Sequence, residues 1–159
     1  MSRILIWDIP TRVFHWSLAV GFAAAWLSSI DNRFLFVHTF AGYAFLGLLL
    51  FRLWWGMVGT RYARFRAFAY DWPSVRAYLA ALATGRAARY LGHNPVGSWV
   101  IFLLLTLGLA VSTTGVLVLG GEEGHGPLAG SVSFQVGEYA HAVHKAGAWL
   151  MLAAVMLHI

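Results

Sequence analysis

The 159-residue chain contains no cysteine. Without thiols it forms neither disulfides nor thiolate metal sites, and it lacks the Cys-x-x-Cys-His sequence that attaches a haem covalently. Charged residues are also scarce, at 11% of the chain, where a soluble domain has about 25%. Because 60% of the residues are hydrophobic, we expect the chain to lie in a membrane.

The positive charge is placed unevenly along the chain. A net charge of +5 would suit nucleic acid, but the basic residues are arginines confined to particular loops of a hydrophobic chain, so we exclude nucleic acid. The loop around residues 31–33 and the loop over 120–137 together contain one arginine, Arg33. The N-terminal segment and the loop 59–94 contain eight: Arg3, Arg12, Arg61, Arg64, Arg66, Arg76, Arg86 and Arg89. The positive-inside rule therefore places both chain ends in the cytoplasm.

Four apolar runs are long enough to span a membrane core, which needs about 20 residues. They cover residues 13–30, 34–58, 95–119 and 139–159. The first is not followed by a small-x-small cleavage site, so we interpret it as a spanning helix and not as a signal peptide.

A short helix is predicted between the second and third runs, with Asp71 as N-cap, Pro73 in the first turn and Gly85 at its end. It is too short and too polar to span, so we place it at the membrane surface. The prediction is an all-α integral membrane protein, a single domain over residues 1–159 that forms a four-helix up-down-up-down bundle.

Four histidines inside the predicted spans can be paired by depth. His144 and His158 are 14 residues apart, which in a helix puts both on one face, about 21 Å apart along the axis. Counting residues from the ends of the spans places His15 near the inner surface and His38 near the outer one. By depth, His38 pairs with His144 and His15 pairs with His158.

Ionisable side chains in hydrocarbon are costly and usually functional. Two imidazoles from facing helices can hold the iron of a b-type haem without covalent attachment, and such an iron has no open position, so electron transfer is expected. We therefore predict two non-covalent b haems with bis-histidine iron. A small transporter or metal-ion channel with a histidine relay is the alternative from another class, and any one histidine alone could equally be a hydrogen-bonded core residue.

Further residues are assigned around these histidines. Gly42 and Gly147 lack side chains and would let a flat macrocycle approach the backbone. Lys145 and Arg52 lie at the ends of spanning runs, where the simpler interpretation is that both extend to the lipid headgroups; the more specific one is that they pair with haem propionates, Lys145 on the outer haem and Arg52 on the inner. Three arginines of the long loop are predicted to set topology and contact lipid: Arg61, Arg64 and Arg66. A quinone pocket beside them is the alternative, which no specific motif supports.

The remaining three histidines are not predicted to be ligands. His141 lies 17 residues before His158, so it points about 100° away from the shared face and is assigned to the interface. His93 precedes the third span and is predicted to be a cap or interface residue. His125 lies in a glycine-rich loop and is expected to be solvated.

Several segments resemble the bacterial cytochrome b561 family, which is related to the b-type cytochrome subunits of nickel-iron hydrogenases. Residues 7–16 (WDIPTRVFHW) resemble the opening of that family. Residues 52–65 (RLWWGMVGTRYARF) resemble the end of its second helix, and 92–97 (GHNPVG) and 113–115 (TTG) the two ends of its third. The spacing of the two histidines in the fourth helix is also similar.

The resemblance implies a four-helix cytochrome of the bacterial inner membrane with two b haems, whose ligands map onto His15, His38, His144 and His158. It implies electron passage between the quinone pool and a periplasmic cytochrome or other redox partner, as an electron carrier or a quinone-linked oxidoreductase subunit. An anchor subunit of a larger oxidoreductase such as a hydrogenase is the alternative within the class. Membrane lipid is a further expected partner, and a homodimer is left open. The family usually continues past its last histidine with a basic tail, so we expect the natural fourth helix to run beyond Ile159.

Overall fold

The computed structural model describes residues 8–90 and 92–158, and this part of the chain contains helices and no strand. Five α-helices follow one another: α1 (Ile9–Ser28), α2 (Leu35–Val58), α3 (Trp72–Ala83), α4 (Pro95–Gly121) and α5 (Phe134–His158). Two short 3-10 helices cover Asn32–Phe34 and Phe65–Ala67. Arg3, Trp7 and Ile159, which entered the predictions above, lie outside the described residues.

Three of the helices begin in the same way, with a side-chain cap followed within two residues by proline. Asp8, Asp71 and Asn94 each accept a hydrogen bond from the backbone N–H three residues later, at 2.8, 3.1 and 2.8 Å. Such caps satisfy one of the amide groups that a helix leaves unpaired at its start. The predicted cap at Asp71 is thereby confirmed.

Two helices begin earlier than the apolar runs predict. α1 begins at Ile9 because Asp8 caps it, and α5 begins at Phe134, whereas hydropathy predicts starts at 13 and 139. In α5 the added residues lie against the end of α4, where a Cβ on Gly121 would stand 2.8 Å from the Cα of Gly137. Two facing glycines let the helix backbones meet there, a contact that hydropathy does not reveal.

Helices α2, α4 and α5 are each long and apolar enough to cross a membrane, over Asn32–Val58, Pro95–Gly121 and Phe134–His158. α1 does not meet that standard, since its first half carries several polar residues among the apolar ones. α1 packs along α2, α4 packs along α5, and α2 also contacts α4. The chain is a multi-pass membrane protein, while a fourth crossing by α1 stays a prediction.

The buried centre of the bundle is formed by Phe45 and Leu49 of α2, Leu105 of α4 and Met151 of α5. α1 reaches α5 near its end, where the Trp26 and Trp149 rings lie 4.9 Å apart. Histidines on α1, α2 and α5 thus lie at the two ends of one packed core, where they approach each other in pairs.

Candidate functional site

The first site lies between α2 and α5, where the ring centroids of His38 and His144 are 6.0 Å apart. Two imidazole rings that held one metal ion between them would have centroids about 6 Å apart, because a metal–nitrogen bond is about 2 Å long and each nitrogen lies about 1 Å from its ring centre. The spacing therefore fits one metal ion between two imidazoles.

Both rings of this pair are oriented by backbone carbonyl groups. Nδ1 of His38 donates to the carbonyl oxygen of Ala25 at 2.8 Å, and Nδ1 of His144 donates to that of Val111 at 2.8 Å. Since a carbonyl oxygen only accepts hydrogen bonds, Nδ1 carries the proton in each ring and Nε2 keeps its lone pair. This is the tautomer in which metal-ligating histidines are usually held.

A cavity of about 640 Å³ surrounds the pair and is bounded by α1, α2, α4 and α5. Its volume lies within the range of about 300–1,000 Å³ typical of cofactor sites. The walls are mostly apolar and include the tryptophans Trp26 and Trp149. Two of the residues predicted to bind the cofactor, Gly42 and Lys145, also line the cavity. Its other polar lining residues include Asp31, Glu122 and His141.

Glycines shape this cavity in two ways. Apart from its chain neighbours and its own helix backbone, no atom lies within 4 Å of the position that a Cβ on Gly42 would take, and Gly42 lines the cavity; its place beside a macrocycle stays a prediction. A Cβ on Gly115 would stand 3.0 Å from Cε1 of His144, so Gly115 leaves room for the ring. Gly147 permits close packing of α5 against α4, because a Cβ added to it would stand 3.0 Å from the side chain of Val111.

The second site lies at the other end of the bundle, where the ring centroids of His15 and His158 are 6.3 Å apart. This spacing fits one metal ion between the rings as well as that of the first pair does. The four histidines thus come together in the two pairs that the depth count predicts. Their role as ligands stays a prediction.

Arg52 is a buried charge, only 5% exposed. Its guanidinium lies over the ring of Phe65 at 4.7 Å and near that of Phe68 at 5.8 Å. Among the described residues, Nη1 has no hydrogen-bond partner. A buried donor without an acceptor is costly, and the carboxylate of a haem propionate would satisfy it, as predicted for this residue.

His93 lies beside Arg52, with its ring 4.7 Å from that of Phe68. Burial lowers the pKa of His93, and the charges of Arg52 and His158 lower it further. Arg52 therefore lies in the region of the second histidine pair. The sequence predicts His93 to be a cap or interface residue; the cap of α4 is Asn94 and not His93, and the proximity of His93 to Arg52 was not predicted.

Asp8 connects α1 to the end of α2 in the same region. Besides capping α1, its Oδ2 accepts hydrogen bonds from Nε1 of Trp55 at 3.2 Å and from Oγ1 of Thr60 at 2.6 Å. Burial raises the pKa of Asp8, but the hydrogen bonds from Thr11, Thr60 and Trp55 outweigh it and leave the pKa below its ordinary value. His15 lies seven residues further along α1, so this contact fixes the helix that carries it.

The remaining polar residues lie at the end of the helices that holds the His38–His144 pair. His141 pairs with Glu122 at 2.9 Å, is exposed and also lines the cavity; its assignment away from the ligand face stays a prediction. Lys145 is exposed and lines the cavity. His125 is exposed in its loop and hydrogen-bonds the carbonyl group of Glu123.

The donor sets of the two sites are small. Across residues 8–90 and 92–158, no three side chains of histidine, aspartate or glutamate come together as a metal-binding group. Two imidazoles leave most coordination positions of an iron unfilled, and a porphyrin supplies four nitrogens to fill them. The paired imidazoles, the cavity and the orphaned Arg52 donor all fit a non-covalent haem.

Comparison with known proteins agrees with these features. The family model described as prokaryotic cytochrome b561 matches residues 6–159. Similar curated proteins include the probable Ni/Fe-hydrogenase B-type cytochrome subunits of Azotobacter vinelandii and Rhizobium leguminosarum bv. viciae, each 26% identical over 99% of this chain and 79% and 80% of their own lengths. The corresponding Escherichia coli (strain K12) hydrogenase 1 subunit is 23% identical over 97% of this chain and 80% of its own length. No solved structure is significantly similar to the chain.

Proposed function

The chain belongs to the prokaryotic cytochrome b561 family, and from this we propose that it is a di-haem protein passing electrons between the quinone pool and a periplasmic redox partner. Family membership implies a b-type haem and electron transfer in the membrane. The number of haems, their ligands and the two partners are our proposal.

The observation that carries the proposal is the pair His38 and His144. The two rings are 6.0 Å apart, both Nδ1 atoms donate to backbone carbonyl groups, and both rings line one cavity. In this tautomer Nε2 of each ring keeps its lone pair, and we propose that the two Nε2 atoms would ligate one haem iron. His15 and His158 are proposed to hold a second haem on the strength of their 6.3 Å spacing.

The residues around the two histidine pairs have separate roles in this proposal. A bound haem supplies a one-electron couple at its iron. The carbonyl groups of Ala25 and Val111 hold the ligand rings in one tautomer, so Nε2 stays unprotonated. The buried guanidinium of Arg52 and the ammonium of Lys145 are proposed to bind propionates at the inner and outer haems. The apolar cavity walls keep water away.

The arrangement in the membrane follows from the arginine distribution. We propose four crossings in up-down-up-down order, by α1, α2, α4 and α5, with both chain ends in the cytoplasm of a bacterium and the chain in its inner membrane. α3 has 12 residues, too few to cross, and is placed at the cytoplasmic surface. The His38–His144 pair then faces the periplasm.

A more specific partner is suggested by the relatives. These relatives are probable B-type cytochrome subunits of nickel-iron hydrogenases. As the second candidate function, we propose that the chain is the membrane cytochrome subunit of such an oxidoreductase. Reduction of the purified protein by a hydrogenase would favour this candidate, and reduction by a quinol alone would favour the free electron carrier.

The haem proposal is tested by counting haems in purified variants. The wild type should show a sharp b-type α band in its reduced-minus-oxidised spectrum and about two haems per chain. His38→Ala should lose the outer haem and keep the inner one, since its partner carbonyl and cavity lie away from the second pair. The matched control, His125→Ala, removes an exposed loop imidazole and should keep both.

Three results would contradict the proposal. Absence of the α band would exclude b haem altogether, and one haem per chain in the wild type would mean that one histidine pair is not a ligand pair. Loss of both haems in His38→Ala would show that the substitution disturbs folding and not one ligand set.

A further inference from the structure

A cluster of positive charge lies apart from the histidine pairs, in the loop that follows α2. Arg61, Arg64 and Arg66 line an open cleft of about 520 Å³, together with Ala67. Within residues 8–90 and 92–158, no carboxylate lies within ion-pair distance of these three guanidiniums. Three uncompensated cations around one cleft attract an anion.

The backbone under the cleft is held by hydrogen bonds. The N–H groups of Ala63 and Ala67 donate to the carbonyl oxygens of Thr60 and Arg64, at 3.0 and 2.9 Å. Nε of Arg64 donates to the carbonyl oxygen of Gly59 at 2.6 Å. Ala63 is buried, and Thr60 is in turn bound to Asp8. The arginines are therefore presented by an ordered turn, which lowers the entropy lost when they bind a ligand.

The chemistry of the cleft favours phosphate. Guanidinium groups present planar pairs of N–H donors that match phosphate oxygens. The positive-inside rule explains why arginines occur in this loop, but it does not require three of them to converge on one cleft. That convergence is what a specific anion site needs.

The adjoining surface favours a lipid as the source of that phosphate. Trp54, Met57 and Val58, in the last turns of α2, are 52%, 66% and 52% exposed. In a membrane protein such a surface contacts acyl chains, and it ends three residues before Arg61. We propose that the cleft binds the phosphate group of an anionic phospholipid whose acyl chains lie along this end of α2.

The test uses the full-length protein in lipid nanodiscs of phosphatidylcholine with a small fraction of phosphatidylglycerol, with native mass spectrometry to measure phosphatidylglycerol retained per chain. The variant is Arg61→Gln/Arg66→Gln, and the matched control is Arg86→Gln/Arg89→Gln. Both remove two charges from the same loop, and all four side chains are exposed. Helical circular dichroism checks that both variants fold.

We expect the wild type to retain phosphatidylglycerol in preference to phosphatidylcholine. Arg61→Gln/Arg66→Gln should weaken retention about 25-fold, at about fivefold for each arginine, and the control should weaken it much less. An equal loss in the control would overturn the proposal in favour of diffuse charge attraction, and so would a wild type with no headgroup preference. Displacement of phosphatidylglycerol by equimolar inorganic phosphate would overturn the assignment to a lipid.

Discussion

Replacing Asp8 by alanine should destabilise the protein and loosen the end of the bundle that holds the inner histidine pair. The carboxylate caps α1 through Thr11 and also accepts hydrogen bonds from Trp55 and Thr60. Asp8 therefore combines a local contact that starts α1 with two long-range contacts, to Trp55 and Thr60, which lie 47 and 52 residues later in the chain.

The expected cost follows from these three bonds. Loss of an N-cap side chain costs about 1 kcal/mol. A hydrogen bond to a charged group contributes about 1.5–3 kcal/mol when buried, and less here because Asp8 is only half-buried and Thr60 is exposed. The free energy of unfolding should therefore fall by about 2–4 kcal/mol in Asp8→Ala. Asp8→Asn keeps an acceptor oxygen and should lose less.

The measurement is unfolding of the purified protein in detergent, followed by circular dichroism together with the haem spectrum. The matched control is Asp71→Ala, since Asp71 caps α3 in the same way through Ser74 but is exposed. The control should lose only the cap and leave haem content unchanged. In Asp8→Ala the inner haem should be lost more readily than the outer one.

The pH dependence of the free energy of unfolding is an independent test of the contribution of Asp8. The folded pKa of Asp8 is below its ordinary value, so its contribution to stability is fully present above the unfolded pKa of about 3.9 and disappears as the pH falls through the folded pKa. The difference in stability between the wild type and Asp8→Asn should therefore shrink on acidification below about pH 4. A loss in Asp8→Ala no larger than in Asp71→Ala, or a difference that grows in acid, would refute the reasoning.

Two further variants test the haem sites. Gly115→Val should displace the outer haem and spare the inner one, because even a Cβ would stand 3.0 Å from the His144 ring; Gly47→Val, where no atom lies within 4 Å, should keep both haems in the absorbance spectrum. Arg52→Gln should lower the midpoint potential of the inner haem by some tens of millivolts in a redox titration, because removing a nearby positive charge disfavours the reduced iron; an unchanged potential would place Arg52 away from that haem.

Much of the fold could be predicted because local rules determine it. Scarce charge and long apolar runs indicate a membrane protein, and the cap at Asp71 is predicted from its place before Pro73; the caps at Asp8 and Asn94 were found only in the structure. Helix starts were less accurate where a polar segment continues the helix, as at Phe134, because hydropathy reports composition and not backbone hydrogen bonds. The short helix between the second and third runs was predicted with its cap because it is set by neighbouring residues.

The site was predictable only in part. His141 and His144 could be distinguished by rotation about one helix axis, and the chain does pair His141 with Glu122. The proximity of His93 to Arg52 escaped sequence reasoning, because it depends on how the loop before α4 folds against α2. The role of Gly115 was not predicted either, because the sequence of an apolar helix does not indicate which side chain of another helix packs against a given glycine.

The sequence is sufficient to indicate a membrane protein and to pair His38 with His144 and His15 with His158 by their positions along the helices, because helical rise and rotation per residue are constant. The carbonyl groups that orient His38 and His144, the burial of Arg52 against Phe65 and the contact of Asp8 with Trp55 are visible only in the folded chain. Each of these is a contact between segments distant along the chain, and its geometry follows from how helices pack, which no local pattern records.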